Sequence, residues 1–191
     1  MIITKSDVIE RMEKYAQLIR KGAIFVHPTD TIHGLGCDAT NDSAVLKIRR
    51  LKRRDEQPFS VIAPSKQWIL DNCEVNDYAK EWFNKLPGPY TLILKLKTKN
   101  AVSKFVNPTD DTLGVRVPDN WFADFVNHVG VPIITTSANV HGEEYIDDIE
   151  ELHPDLRNNS QFMIYDPSSR GTPSDIVFLT SPDIKVIKRG K

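Results

Sequence analysis

The sequence predicts an α/β domain built on a sheet that is at least partly parallel. Short apolar runs of strand length alternate with stretches whose apolar residues recur at helical spacing. Turn-forming residues, among them Gly22 and Pro87-Gly88-Pro89, separate the two kinds of segment. No internal repeat and no low-complexity linker divides the chain, so residues 1–191 read as one domain.

The elements follow in order. Residues 6–20 predict a helix, because Ile9, Met12, Ala16 and Ile19 recur near helical spacing. Asp7 with Glu10 can form its capping box, and Gly22 stops it. Residues 23–26 predict a short buried strand ended by Pro28. Residues 42–53 predict a second helix with Val45, Ile48 and Leu51 inward. A strand is expected at 59–63, one or two helices within 66–86, and a strand at 90–96 past the proline break. Strands at 113–117 and 133–136 flank a helix within 119–129, and short strands at 162–165, 176–179 and 184–187 complete the set.

Bulk properties exclude several classes. A chain of 191 residues buries about 70% of its unfolded surface and needs no staple. Hydrophobic residues at 40% and charged residues at 27% place it with globular rather than disordered chains. A net charge of −1 supplies no global pull towards nucleic acid, which leaves only a local basic patch for such contact. No run of eighteen apolar residues occurs, so no membrane span is expected. The first 22 residues are amphipathic and charged, unlike a signal peptide. Cys37 and Cys73 lack metal-type spacing and read as free thiols, so the cytoplasm is the expected location.

Five segments do not look like scaffold. His27-Pro28-Thr29-Asp30-Thr31-Ile32-His33-Gly34-Leu35-Gly36 follows a strand and carries hydroxyls, a carboxylate and glycines that permit close backbone approach to a ligand. It reads equally as a turn in which Asp30 and Thr31 satisfy backbone groups. It is neither a Walker loop nor a dinucleotide fingerprint. Residues 47–54 hold six cations in eight positions, which is a solvated helix face or a site for phosphates or a nucleic-acid backbone. Arg116 lies within an apolar strand, so it meets either a structural carboxylate or a ligand carboxylate. Thr135-Thr136-Ser137-Ala138-Asn139-Val140-His141-Gly142 follows a strand, at the carboxyl end where open α/β sheets bind ligands; it reads otherwise as a capping turn or as a serine nucleophile, though the G-x-S-x-G elbow is absent. Gly171-Thr172-Pro173-Ser174-Asp175 by itself is a turn. His128 and His153 have no partner pattern, and no metal-ligand spacing occurs.

In this order the segments resemble the TsaC/YrdC/Sua-type threonylcarbamoyl-adenylate synthases, over about residues 22–190. PTDTIHGLGCDAT, KRRDEQPFSV, LPGPYTLILK, TLGVRVP, TTSANVHG and TPSDIVFL are similar to that family's motifs in sequence order. The resemblance implies an open, twisted, mixed sheet with flanking helices and a positively charged concave surface. Lys52, Arg54, Ser137 and Asn139 would then be the catalytic, nucleotide-binding tetrad. Gln57, Thr112 and Lys188 would neighbour ATP, and Thr31, Arg116, Thr135 and Ser174 would hold L-threonine.

Several positions depart from the pattern. His33 stands for an aromatic, His141 for a serine, Asp175 for Ser or Thr, and Lys188 for Arg, while Asp55 and Glu56 add negative charge to the basic loop. The chain length resembles the short form of the family.

The implied reaction forms threonylcarbamoyl-AMP and pyrophosphate from ATP, L-threonine and bicarbonate, for N6-threonylcarbamoyladenosine modification of tRNA. Magnesium would be carried with ATP, with no protein ligand assigned. A handover to a separate tRNA threonylcarbamoyl transferase is the implied destination. Two other readings stand beside it: an RNA-binding module contacting RNA through 47–54, and a related threonylcarbamoyl-AMP hydrolase.

Overall fold

Successive side chains on a strand point to opposite faces, and here each face finds its own layer of helices. The computed structural model describes residues 1–140, 146, 148–169 and 171–189. His141, one of the motif departures, and Gly142 and Gly190 lie outside the described residues.

Strand β1 (Ile2–Thr4) leads into α1 (Lys5–Glu10) and α2 (Met12–Arg20). There follow β2 (Phe25–His27), β3 (Gly34–Gly36), α3 (Asp42–Lys52), β4 (Ser60–Ile62), α4 (Lys66–Asn72) and α5 (Lys80–Asn84). The chain continues through β5 (Tyr90–Lys95), β6 (Thr112–Arg116), α6 (Phe122–Val129), β7 (Ile133–Ser137) and α7 (Pro154–Asn159). It closes with β8 (Phe162–Tyr165), β9 (Asp175–Phe178) and β10 (Lys185–Ile187).

The strands form one sheet in the order β1-β8-β2-β3-β7-β4-β6-β5-β9-β10. The pairs β1–β8, β2–β8, β4–β6 and β5–β9 are parallel, and the remaining neighbours are antiparallel. The sheet is therefore open and mixed.

One face packs on α3, α4, α5 and α7, with Val26, Val61, Leu92, Val115, Ile134, Met163 and Val177 from the strands meeting Val45, Ile48, Ile69, Phe83 and Leu156. The other face packs on α1, α2 and α6, with Phe25, Ile62, Ile133 and Phe162 meeting Tyr15, Ile19, Phe122 and Phe125. Among the described residues this second cluster takes nothing from β5, β6 or β9. Half of the second face is thus left without an apolar cover, and its row mixes Ser60, Thr91 and Arg116 with Gly114, Ile93 and Ile176.

Three expectations fail for identifiable reasons. The helix at 6–20 is broken at Arg11 (φ −127°, ψ 36°), and its capping box is Thr4 with Asp7 rather than Asp7 with Glu10. Because α1 folds back on β1, Val8 is buried while Ile9 is 52% exposed. Residues 34–36 form a strand rather than a loop, and Gly34 at its start borders the cavity. A Cβ at Gly34 would lie 2.5 Å from His27 Cε1, and one at Gly36 would lie 2.6 Å from the Ile134 carbonyl. The space these glycines leave is filled by the neighbouring strands, so their smallness serves the sheet. Strand β1 and helix α7 were not foreseen, each being too short to show a period.

Candidate active site on the open half of the sheet

The uncovered row can be read from the register. Ser60 pairs with Gly114 and with Thr135, Ile62 with Arg116, Ile93 with Gly114, and Thr91 with Ile176. Paired residues share a face. Ser60, Thr91, Arg116, Thr135 and Ile176 therefore stand on one side of β4–β6–β5–β9 with β7 beside them, and they floor a cavity of about 200 Å³. Thr31 and His33 from the turn after β2, Arg54 from the loop after α3, Ser137 from the end of β7, Ser174 and Arg189 complete its lining.

Thr31 and Arg116 are held by a buried chain of hydrogen bonds. Ser169 Oγ donates to the Thr29 carbonyl at 2.8 Å and accepts from Thr29 N at 3.0 Å. Thr29 Oγ1 accepts from Thr31 N at 3.1 Å and lies 2.8 Å from Thr31 Oγ1. Both terminal nitrogens of Arg116 donate to Thr31 Oγ1 at 3.3 Å, and Nη2 donates to Asp30 Oδ1 at 2.5 Å. Asp30 Oδ2 accepts in turn from Asp119 N at 3.0 Å. Arg116 thus meets a structural carboxylate and faces the cavity as well. Burial lowers its pKa, Asp30 opposes that, and the nearby Arg189 adds to it. Ser169 carried no sequence signal, being one small polar residue in a loop.

The basic segment divides into two populations. Lys47, Arg50 and Arg53 are exposed, whereas Arg49 and Lys52 are buried. Arg49 Nε donates to the Phe105 carbonyl at 2.7 Å, Nη1 to the carbonyls of Arg54, Asp55 and Gln57 at 3.1–3.2 Å, and Nη2 to the Val106 carbonyl at 3.2 Å. One guanidinium therefore shapes the loop that presents Arg54. Lys52 Nζ donates to the Ser137 carbonyl at 2.6 Å, to Asn139 Oδ1 at 3.0 Å and to the Asn139 carbonyl. Ser137 Oγ donates to Asn139 Oδ1 at 2.5 Å. Lys52, expected to bind the nucleotide, has its ammonium buried against the Ser137–Asn139 turn, which its hydrogen bonds hold. Arg54 reaches the cavity, with Nη1 3.5 Å from Thr136 Oγ1.

Three residues expected beside ATP are placed elsewhere. Gln57 is exposed, and its carbonyl serves Arg49. Thr112 sits at the far end of β6, where its hydroxyl donates to Asp110 Oδ1 at 2.5 Å and closes the 107–112 loop. Lys188 is exposed outside the cavity, and the next residue, Arg189, enters it instead.

The lining described here holds Arg54, Arg116 and Arg189 and no carboxylate. Such a cavity selects anions. Cys37 and Cys73 take no part: both are buried and free, and burial pushes the Cys73 thiol up to about 12. Among the described residues no group of three or more His, Cys, Asp or Glu is placed to hold a metal ion, and no helix is long and apolar enough to cross a membrane.

Fold and cavity together define an α/β domain with an arginine-lined anion site on the open half of its sheet. The Sua5/YciO/YrdC family model, which carries the description telomere recombination, matches residues 17–190, and the chain belongs to this family.

A Methanocaldococcus jannaschii protein provisionally named a threonylcarbamoyl-AMP synthase is 32% identical over 190 residues, covering 95% of this chain and 88% of that one. A Vibrio campbellii threonylcarbamoyl-AMP synthase is 29% identical, covering 88% and 94%. Escherichia coli YciO superposes with a TM-score of 0.83 at 26% identity, over 95% of this chain and 89% of that chain. P. abyssi Sua5, solved in complex with L-threonine, superposes with a TM-score of 0.87 at 24% identity and shares the fold; this chain spans 98% of its own length and 57% of that longer chain.

Proposed function

We propose that this protein is an L-threonylcarbamoyladenylate synthase, a nucleotidyltransferase that makes threonylcarbamoyl-AMP and pyrophosphate from ATP, L-threonine and bicarbonate. The observation that carries this is one cavity holding three arginines from distant parts of the chain together with the hydroxyls of Thr31, Ser137 and Ser174. Synthase relatives that align along most of the chain point the same way.

The chemistry asks for positioning and charge neutralisation rather than a protein nucleophile. The threonine amine adds to carbon dioxide with loss of a proton, or condenses with bicarbonate with loss of water, to give a carbamate. A carbamate oxygen attacks the α-phosphorus of ATP, the bond to the β-phosphate oxygen breaks, and pyrophosphate leaves. Arg116, kept rigid by Asp30 and Thr31, receives the threonine carboxylate, with Thr31, Thr135 and Ser174 at its polar groups. Arg54 and Arg189 meet phosphate oxygens, and Ser137 orients the α-phosphate. Lys52 and Asn139 act through the turn that presents Ser137. Magnesium would arrive with ATP, coordinated by phosphates and water.

A tRNA threonylcarbamoyl transferase is the proposed recipient of the product, and the cytoplasm the proposed location. Direct RNA contact through 47–54 is the weaker reading, because only Lys47, Arg50 and Arg53 of its cations are exposed.

The test is pyrophosphate release by purified protein with magnesium, ATP and a panel of amino acids, with and without bicarbonate. Release should require L-threonine and bicarbonate. Arg54→Ala should lower kcat/KM by an amount equivalent to roughly 2–4 kcal/mol, as for a lost transition-state donor, and Ser137→Ala should also lower it. Release that ignores threonine, or breakdown of supplied threonylcarbamoyl-AMP without synthesis, would assign the fold another reaction.

A further inference from the structure

The last described residues of the chain return to the cavity, where Arg189 bonds to Ser174 and Asp175. β10 is an edge strand that pairs with β9 alone, and all three of its residues are exposed. Ile184, Val186 and Ile187 each keep 36–38% of their surface open. Little apolar burial anchors this arm. The ladder's last pair is Ile187 with Ile176, so Lys188 and Arg189 lie beyond it.

Arg189 nevertheless folds back over Ser174. Its Nε donates to the Ser174 carbonyl at 2.8 Å and its Nη2 to Ser174 Oγ at 3.3 Å. Ser174 Oγ is fixed from below by Thr91 Oγ1 at 2.8 Å. The backbone N–H of Arg189 donates to Asp175 Oδ1 at 3.2 Å. Asp175 opens β9, and its own N–H donates to the Pro89 carbonyl at 3.0 Å. Its carboxylate therefore extends the attachment of the arm by one step where the ladder has stopped.

We propose that Asp175 is a positioning residue for the synthase: its carboxylate docks the backbone of the C-terminal arm so that the Arg189 guanidinium stands in the cavity and serves the nucleotide triphosphate. The arm buries little apolar surface, a carboxylate accepts an N–H more strongly than a hydroxyl does, and the seat it provides is one residue from the cavity wall at Ser174. The inference rests on the synthase reading, and its test separates the two.

Steady-state pyrophosphate release is compared for the full chain, Asp175→Ala, Asp175→Asn, Arg189→Ala and the double variant Asp175→Ala/Arg189→Ala. Amide exchange over 185–189 is measured on the same proteins. Asp175→Ala should raise the KM for ATP about tenfold, the effect of one charge-assisted contact, with kcat little changed and exchange at 187–189 faster. Asp175→Asn keeps the acceptor and should restore both. The double variant should be no worse than Arg189→Ala, since the two residues act in series.

Wild-type KM and exchange in Asp175→Ala, or effects that add in the double variant, would overturn the proposal. Should Asp175→Ala not fold, Asp175→Ser removes the same reach and carries the same two outcomes. If the full chain releases no pyrophosphate, the synthase reading fails, while unchanged exchange in Asp175→Ala would overturn the seating of the arm independently.

Discussion

His27 is a buried titratable group that the chemistry does not use. Its ring stacks on Phe122 with centroids 4.9 Å apart, covers the two glycines of β3, and is fully buried. Burial pushes its pKa down to about 3, with the charges of Arg116 and His33 adding to this and the carbonyls of Pro28 and Ile134 opposing it. The unfolded chain takes up this proton near 6.5, whereas the folded protein does so only near 3. Between those values the unfolded state binds more protons, so stability falls as pH falls through that window. The loss should be about 2 kcal/mol at pH 5 relative to pH 7.5. Urea unfolding of the wild type and His27→Phe at both pH values reads it. The variant keeps a stacking ring without a titrating group, so its pH dependence should be smaller by that amount, and identical slopes would remove His27 as the cause.

The elements show where sequence reading reaches and where it stops. Helix α3 was legible from Val45 and Ile48, and its N-terminus follows ordinary capping, with Asn41 accepting from Ala44 N. Its six-cation tail was not legible in detail, because a run of charge says nothing about which members turn inward. Arg49 and Lys52 are separated by three residues and so share a face, and tertiary carbonyls complete the burial. Similarly, the S-A-N turn stood out in the sequence, but its dependence on Lys52 is a contact across 85 residues. Strand 113–117 was legible as apolar, and Arg116 within it as an anomaly, whereas Asp30 as its partner was not.

The C-terminal end of α3 also stores strain. Arg53 sits in the left-handed region at φ 51°, a conformation that glycine adopts at no steric cost. Its side chain is exposed. Arg53→Gly should therefore be neutral or stabilising, by up to about 1 kcal/mol, with pyrophosphate release unchanged. Chemical denaturation gives the stability and the release assay the activity. A loss of more than 1 kcal/mol would mean that the Arg53 side chain holds the loop in a way its exposure does not suggest.

At the scale of the whole molecule, the cavity gathers residues from one end of the chain to the other. Thr31, Arg54, Arg116, Ser137, Ser174 and Arg189 arrive on six separate strands or loops around a single sheet whose second face is only half covered. A ligand bridging them adds to the direct contacts that already join Arg116 to Thr31 and Arg189 to Ser174. The net charge of −1 means that the pull on an anion is local, from the three arginines, and not a property of the whole surface. Pyrophosphate, the co-product of the proposed reaction, should bind the folded state alone. At a concentration of 100 times its Kd it should add about 2.7 kcal/mol of stability, a rise in Tm of roughly 5–10 °C for a chain of this size. Because the arginines contribute separately, Arg54→Ala should need about ten times more pyrophosphate for the same rise. Thermal unfolding against pyrophosphate, with sodium chloride matched for ionic strength, distinguishes the site from general screening. A rise produced equally by chloride, or one that Arg54→Ala leaves untouched, would move the anion site away from this cavity and take the nucleotide assignment with it.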